Sequence, residues 1–151
     1  MDQLTTDLVF LARILLTGVL SFLIGWEREA QGSTAGDRTH ALVGIASAAF
    51  ASIGVESFPA DAGRIIQGVV TGVGFLGAGM ILKEGGMVIG LTTAAGIWAV
   101  AAVGVMIGAG EYFMGISLAA LIMLILAKDR IPGLSRIGHR RDGAEGGRSD
   151  T

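Results

Sequence analysis

The stretch LVFLARILLTGVLSFLIG, from Leu8 to Gly25, is eighteen residues long and carries a single charged side chain, Arg13. A helix that crosses a lipid bilayer needs about 20 mostly apolar residues. A soluble amphipathic helix would also need a polar face toward water, which this stretch lacks. The stretch therefore predicts a membrane-spanning helix.

Four further segments of the chain have the same apolar character. They run from His40 to Val55, from Ile65 to Leu82, from Leu91 to Ala109 and from Tyr112 to Leu126. The second and fifth of the five segments are short for a full span, so tilting or local thinning of the bilayer must help them. We predict an all-α membrane protein, a bundle of about five transmembrane helices over residues 1–127. For residues 128–151 we predict a charged, disordered cytosolic tail.

The composition excludes several classes of protein. Apolar residues make up 52% of the chain and charged residues 16%, which is too apolar for a disordered chain. The absence of cysteine excludes disulfides, thiolate metal sites and cysteine nucleophiles. A net charge of −2 argues against a nucleic-acid partner.

The distribution of basic residues predicts the orientation in the membrane. Nine of the eleven Lys and Arg residues lie in the first loop, the third loop and the tail. Cytoplasmic loops carry the excess of positive charge. We therefore predict an N-terminus outside and a C-terminus in the cytosol, which leaves Arg64 outside and Arg13 within the membrane.

Glycines are concentrated in the third segment, and the fourth segment carries Gly104 and Gly108 at a spacing of four. Small residues let membrane helices approach closely. Packing inside the chain, a homodimer face on the third helix, or a broken helix at a permeation site would each use such glycines. Those of the third segment are Gly68, Gly72, Gly74, Gly77 and Gly79.

The two predicted cytosolic loops hold a cluster of charges of both signs at helix ends. Such a cluster is either a set of ordinary interfacial charges or a place that pairs helices or binds an ion or partner. Its carboxylates are candidate ligands for a hard cation such as Mg²⁺, although no metal ligand set is recognisable. The candidate residues are Glu27, Arg28, Glu29, Asp37, Arg38, Thr39, His40, Lys83, Glu84, Thr92 and Thr93.

Arg13 is the one charge deep inside a predicted span. It shares a helix face with Thr17 and Ser21, at a spacing of four. Either its side chain extends to the outer interface, or it faces the interior of the bundle. The predicted intramembrane neighbour is Gln67, and the candidate counter-charges are Asp7 and Asp61.

Three blocks of sequence in order resemble the signature of the MgtC/SapB family. They are GWERE at 25–29 with AGDRTHALV at 35–43, GVGFLGAGMI at 72–81, and GLTTAAGIW at 90–98. The resemblance implies a multi-pass protein of the bacterial inner membrane, linked to growth at low magnesium, acid tolerance and virulence. It also implies that some members restrain the F-type ATP synthase, and that magnesium transport is not established for the family.

The resemblance carries motif residues over to this chain without giving them roles. Many family members continue into a soluble, ACT-like C-terminal domain, where this chain has its short charged tail; we therefore expect a short form, or a subunit completed by another protein. The motif residues are Glu27, Arg28, Glu29, Gly36, Arg38, Thr39, His40, Gly74, Gly77, Gly79, Thr92, Thr93 and Trp98.

Our leading hypothesis is a non-enzymatic, oligomeric membrane protein that adapts the cell to low magnesium or acid by binding another membrane protein. The F-type ATP synthase is one candidate for that partner protein. Membrane lipid is expected to surround the helices. No cofactor is expected, and Mg²⁺ binding is left open. The rival hypothesis is a transporter or channel that uses the polar stripe of Arg13. A third is a purely structural assembly subunit.

Overall fold

The computed structural model describes residues 2–84 and 86–127, and the predicted tail at 128–151 lies outside the described residues. Five helices follow one another, with a short β-hairpin between the third and the fourth. They are α1 (Gln3–Ala30), α2 (Asp37–Ser57), α3 (Ala62–Gly79), β1 (Leu82–Glu84), β2 (Met87–Ile89), α4 (Leu91–Gly108) and α5 (Tyr112–Leu126). The prediction of an all-α membrane protein with five helices is confirmed.

Three of the helices, α1, α2 and α4, are long and apolar enough to cross a bilayer. Helix α5 is apolar but has fifteen residues, as its sequence predicts. Many large apolar side chains face outward, including Leu15 at 59% and Phe113 at 81% exposure. So much outward apolar surface is what a lipid environment requires.

Helix α4 is the centre of the bundle. Ten of its residues are buried, and it contacts all four other helices. One apolar cluster joins α1, α4 and α5 around Ile24, Val103 and Ile122. A smaller cluster joins α3 to α4 through Val73 and Ile97.

Helices α2 and α4 approach closely because glycines line their contact. A Cβ atom at Gly104 would lie 2.5 Å from the carbonyl oxygen of Gly44 and 2.8 Å from Ser47 Cβ. One at Gly108 would lie 2.8 Å from Ala48 Cα. Packing inside the chain is therefore confirmed for the two glycines of the fourth segment.

The glycines of α3 are not in such close contact with a neighbouring helix. Gly77 faces Ala94, with 3.7 Å between the Cβ position and the Ala94 Cβ. At the other four glycines no described atom outside the helix lies within 4 Å of the Cβ position, so the described residues show no close packing inside the chain there. These four are Gly68, Gly72, Gly74 and Gly79.

The predicted third loop is a β-hairpin, and this corrects the predicted helix end at Leu82. Helix α3 ends at Gly79, and Leu82 instead pairs with Ile89 in an antiparallel ladder. The sequence places Gly85-Gly86 between the strands, and Gly86 has a φ of 90°. Gly-Gly is a preferred pair for a two-residue hairpin turn, and the apolar run of α3 conceals this signal.

Candidate functional site

The polar residues of the first loop, the hairpin and the start of α4 meet at one end of the bundle, which we call the hairpin end. A cavity of about 730 Å³ lies there, between the α1–α2 loop and the first turn of α4. We call it the loop–hairpin cavity. Its polar side chains are Arg28, Gln31, Ser33, Thr34, Thr39, Thr92 and Thr93.

Arg28 is the charged side chain in this cavity wall. It is 9% exposed, and its Nη1 donates a 2.7 Å hydrogen bond to Gln31 Oε1. Its Nε has no hydrogen-bond partner. Gln31 is itself held, since its Nε2 donates to Glu27 Oε1 at 2.7 Å and to the Leu126 carbonyl at 2.9 Å. The cavity wall therefore contains a positioned cation, and one of its three side-chain nitrogens, Nε, is buried without a hydrogen bond.

The first turn of α4 forms the opposite wall. Gly90 precedes the helix with a φ of 85°, and no side chain caps the helix there. A side chain at Gly90 would collide with the carbonyl oxygen of Met80, so the close approach of the chain also requires glycine. The hydroxyls of Ser33 and Thr93 lie 2.9 Å apart and tie the loop to α4.

His40 lies beneath the cavity and is fully buried. Its Nδ1 is 2.8 Å from the Gly36 carbonyl, while Nε2 has no partner and faces Gly96 of α4. The Cβ position at Gly96 is 3.4 Å from that nitrogen. His40 thus fills the junction of α1, α2 and α4, where a larger residue on α4 would displace it.

The remaining candidates of the cluster separate into two groups. Glu29, Asp37 and Arg38 border a smaller cavity of about 350 Å³, where Glu29 Oε2 accepts a hydrogen bond from the Asp37 N–H at 3.2 Å. Lys83 and Glu84 lie exposed on β1. Within residues 2–84 and 86–127, no described ion pair joins the hairpin to the first loop.

The candidate Mg²⁺ ligands are not gathered into a metal site. Among the described residues, no three His, Cys, Asp or Glu side chains come close enough together to hold an ion. The four carboxylates at 27, 29, 37 and 84 therefore share one end of the bundle without converging on one point.

Arg13 lies at the opposite end of the bundle, and its counter-charge is Glu56. The two side chains are 13% and 27% exposed, with 2.6 Å between Nη1 and Oε1. Arg13 also donates to the Tyr112 hydroxyl at 3.0 Å and to the Gly108 carbonyl at 3.1 Å. The guanidinium hydrogen-bonds to residues of α2, α4 and α5. Arg13 therefore faces the other helices as a paired charge, and it does so at the end of the bundle.

The predicted partners of Arg13 are wrong. Asp61 pairs with Arg64, and Asp7 accepts a hydrogen bond from Gln3 at 3.2 Å. Gln67 is exposed on α3 and makes no described contact with Arg13.

The stripe that continues from Arg13 is buried and tightly packed. Thr17 and Ser21 are both 0% exposed, and their hydroxyl oxygens have no hydrogen-bond partner. Gly44 of α2 presses against both, since its Cβ position lies 2.8 Å from Ser21 Cβ and 3.2 Å from Thr17 Cγ2. The stripe is thus a contact between α1 and α2.

Sequence reasoning missed Glu56, Tyr112 and Gln31. Glu56 ends α2 and Tyr112 begins α5, so alternation of the helices already places both at the end where α1 begins. Gln31 follows Arg28 by three residues, a spacing that brings side chains together on a helix.

The chain resembles known proteins over most of its length. Residues 14–131 match the MgtC family. The chain is 42% identical to "Putative magnesium transporter YhiD" of Escherichia coli K12 over 126 residues, covering 78% of this chain and 59% of the relative. It is 41% identical to "Protein MgtC" of Salmonella typhimurium LT2 over 118 residues, covering 78% of this chain and 50% of the relative.

An uncharacterized protein of Haemophilus influenzae is 33% identical over 145 residues, covering 89% of this chain and 60% of the relative. No solved structure matches the chain. The chain thus spans between half and three fifths of the length of these relatives. The match to the family covers more than half of the chain, and it includes the loop–hairpin cavity and the residues around Arg13. This chain belongs to the MgtC family of membrane proteins.

Proposed function

We propose that this protein is a non-enzymatic regulator that binds another membrane protein and so adapts the cell to low magnesium or acid. The observation that carries the proposal is the set of open glycines on α3. At four of them no described atom outside the helix lies within 4 Å of the Cβ position, although the chain uses Gly104 and Gly108 of α4 for close packing. The resemblance to the family makes the F-type ATP synthase a candidate partner.

Two of the open glycines, Gly68 and Gly72, border a groove that suits a transmembrane helix. Helices α2 and α3 enclose an apolar space of about 570 Å³, with Gly68 and Gly72 on one side and Phe50 on the other. In lipid, small residues favour association because they let another helix backbone come close. The groove therefore fits an apolar helix of a partner protein, and a second copy of this chain is the competing occupant.

The packing along the polar stripe favours this proposal over transport. A permeation path along Arg13, Thr17 and Ser21 would need space for water or an ion. Thr17 and Ser21 are instead fully buried against Gly44, and Arg13 is held by Glu56 and two further acceptors. Transport is the alternative function, supported by the name of the relative "Putative magnesium transporter YhiD".

We also propose the bacterial inner membrane as the location, with the N-terminus outside. This orientation puts the hairpin end, with Arg28, Arg38 and Lys83, on the cytosolic side, as the excess of positive charge in cytoplasmic loops favours. Arg13 and Glu56 then lie near the outer surface.

Two leucine substitutions on the same helix test the partner proposal. Gly72 lines the groove, whereas Gly74 is equally open but does not. In cells lacking the wild-type gene, Gly72→Leu is expected to abolish growth at low Mg²⁺ and co-purification of the partner. Gly74→Leu is expected to preserve both. Preserved growth and co-purification with Gly72→Leu would refute the role of the groove.

Two further measurements separate the alternatives. If Gly72→Leu abolishes self-association of the purified protein, the groove belongs to the oligomer. Mg²⁺ flux into vesicles that contain the purified protein alone, and its loss in a folded Arg13→Leu variant, would establish transport. Absence of flux from folded protein supports the regulator.

A further inference from the structure

The loop–hairpin cavity contains a positive charge that the described part of the chain does not neutralise. Arg28 is nine-tenths buried, its Nε is unpartnered, and its described hydrogen bond goes to the neutral amide of Gln31. Among the described residues that line the cavity, none is Asp or Glu. A buried charge without an ionic partner is costly, and a bound counter-ion would remove that cost.

The opposite wall adds a second set of donors. The first N–H groups of a helix have no acceptor within the helix, and the N-terminus carries a partial positive charge. The N-cap residue of α4 is Gly90, which provides no side-chain cap, and Gly90, Leu91, Thr92 and Thr93 all border the cavity. The side-chain hydroxyls of Thr34, Thr39 and Thr92 also border it.

We propose that the loop–hairpin cavity binds a phosphate-type oxyanion between the Arg28 guanidinium and the N-terminus of α4. The guanidinium offers a planar fork that suits phosphate oxygens, and the helix N-terminus offers backbone N–H groups. A volume of about 730 Å³ leaves room for a group larger than inorganic phosphate. The phosphate of an anionic lipid and that of a soluble molecule share this chemistry. The inference is independent of the groove between α2 and α3.

The test uses the full chain purified in an uncharged detergent, with inorganic phosphate as the probe and chloride at equal ionic strength as the control. Phosphate, but not chloride, is expected to raise the melting temperature and to give a saturable calorimetric signal. Arg28→Met is expected to weaken phosphate binding at least tenfold, because hydrogen bonds to charged groups are the strong ones. Arg64→Met, at the other end of the bundle, is expected to bind as the wild type does.

A second variant distinguishes binding from folding. Arg28→Lys keeps the charge but loses the fork, and it is expected to bind phosphate with an affinity between those of the wild type and Arg28→Met. If all three proteins melt at the same temperature without phosphate, the differences in affinity report the site. Equal affinity in the wild type and Arg28→Met would overturn the proposal.

The source of the phosphate group is settled by competition. Displacement of phosphate by short-chain phosphatidylglycerol, but not by phosphatidylcholine, would assign the site to anionic lipid. Retention of phosphate in the presence of both lipids would assign it to a soluble ligand. Binding of neither phosphate nor phosphatidylglycerol to folded protein would refute the site.

Discussion

Helix α1 carries two arginines that are largely removed from solvent, one toward each end of the bundle, and their partners differ. Arg13 has an acid, a phenol and a backbone carbonyl as partners, supplied by three other helices. Arg28 has as its partner the side-chain amide of Gln31, three residues later in the chain, and it lines an open cavity. The described residues give the first arginine an ionic partner, and they give the second only a neutral amide.

The difference separates a charge that stabilises the fold from one that is available to a ligand. Around Arg13 the helices are in close contact, and the carbonyl of Gly108 accepts from both Arg13 and Ser52. At the hairpin end, Gly79 is open and the first turn of α4 is uncapped. If this comparison is right, substitutions at the Arg13 end should alter stability, and those at the hairpin end should alter binding.

The largest loss of stability should come from a larger side chain at the tightly packed end of the bundle, where Arg13 lies. Gly108→Leu places a Cβ against the Ala48 backbone, and overpacking of this kind costs about 1–3 kcal/mol or more in free energy of unfolding. The same substitution at Gly79, which faces open space, should change stability by less than about 0.5 kcal/mol. Denaturation in detergent, followed by circular dichroism, measures both. Comparable losses in the two variants would contradict the contrast between the ends.

Replacing each arginine by methionine tests the comparison most directly. Arg13→Met leaves the Glu56 carboxylate without its partner and should cost about 2 kcal/mol, as for other hydrogen bonds to charged groups. Arg28→Met removes a poorly partnered buried charge and should be neutral or slightly stabilising in phosphate-free buffer. The order of the two melting temperatures is the readout, and the reverse order would show that Arg28 is the structural residue.

A smaller change dissects the network at Arg13. Tyr112→Phe removes one neutral hydroxyl acceptor and keeps the ring, so it should cost about 1 kcal/mol, as typical single hydrogen bonds do. In the background of Arg13→Met the same substitution should cost almost nothing, because the partner is gone. A double-mutant cycle on unfolding free energies gives this coupling. Additive losses would mean that the hydroxyl acts independently of Arg13.

The smallest effect is expected at the exposed pair Arg64–Asp61, whose side chains are 81% and 46% exposed. Exposed ion pairs contribute about 0–1 kcal/mol. Arg64→Ala should therefore leave the melting temperature nearly unchanged, and what change there is should vanish at high salt. If Arg64→Ala lost as much stability as Arg13→Met, solvent exposure would not predict how much each ion pair contributes to stability.

Much of the architecture could be predicted from the lengths of the apolar segments alone. The segment Tyr112–Leu126 matches α5 at both ends, since charged or aromatic residues border it. Helix α1 extends past its apolar stretch to Ala30, because Glu27, Arg28 and Glu29 continue the helix beyond the point where hydropathy falls. Hydropathy marks the part of a helix that lies in lipid, whereas hydrogen bonding determines where the helix ends.

The site was less predictable than the fold. Loop position and the resemblance together identified Arg28, Thr39, Thr92 and Thr93, which the structure brings to one cavity. The pairing of Arg13 with Glu56 depends on how α1 and α2 pack, over a separation that local spacing does not reach. The open glycines of α3 show the same limit, because a spacing of four predicts close approach without naming the helix that approaches.

The shared acceptor at Gly108 has a consequence for motion. One carbonyl oxygen on α4 binds Arg13 of α1 at 3.1 Å and Ser52 of α2 at 2.8 Å, so three helices are joined at a single atom. Relative tilting of these helices is restrained there and has its largest amplitude at the other end. Rearrangements of the bundle should therefore pivot about the Gly108 end and change the width of the loop–hairpin cavity, where spin labels on the α1–α2 loop and on β2 would record the distance.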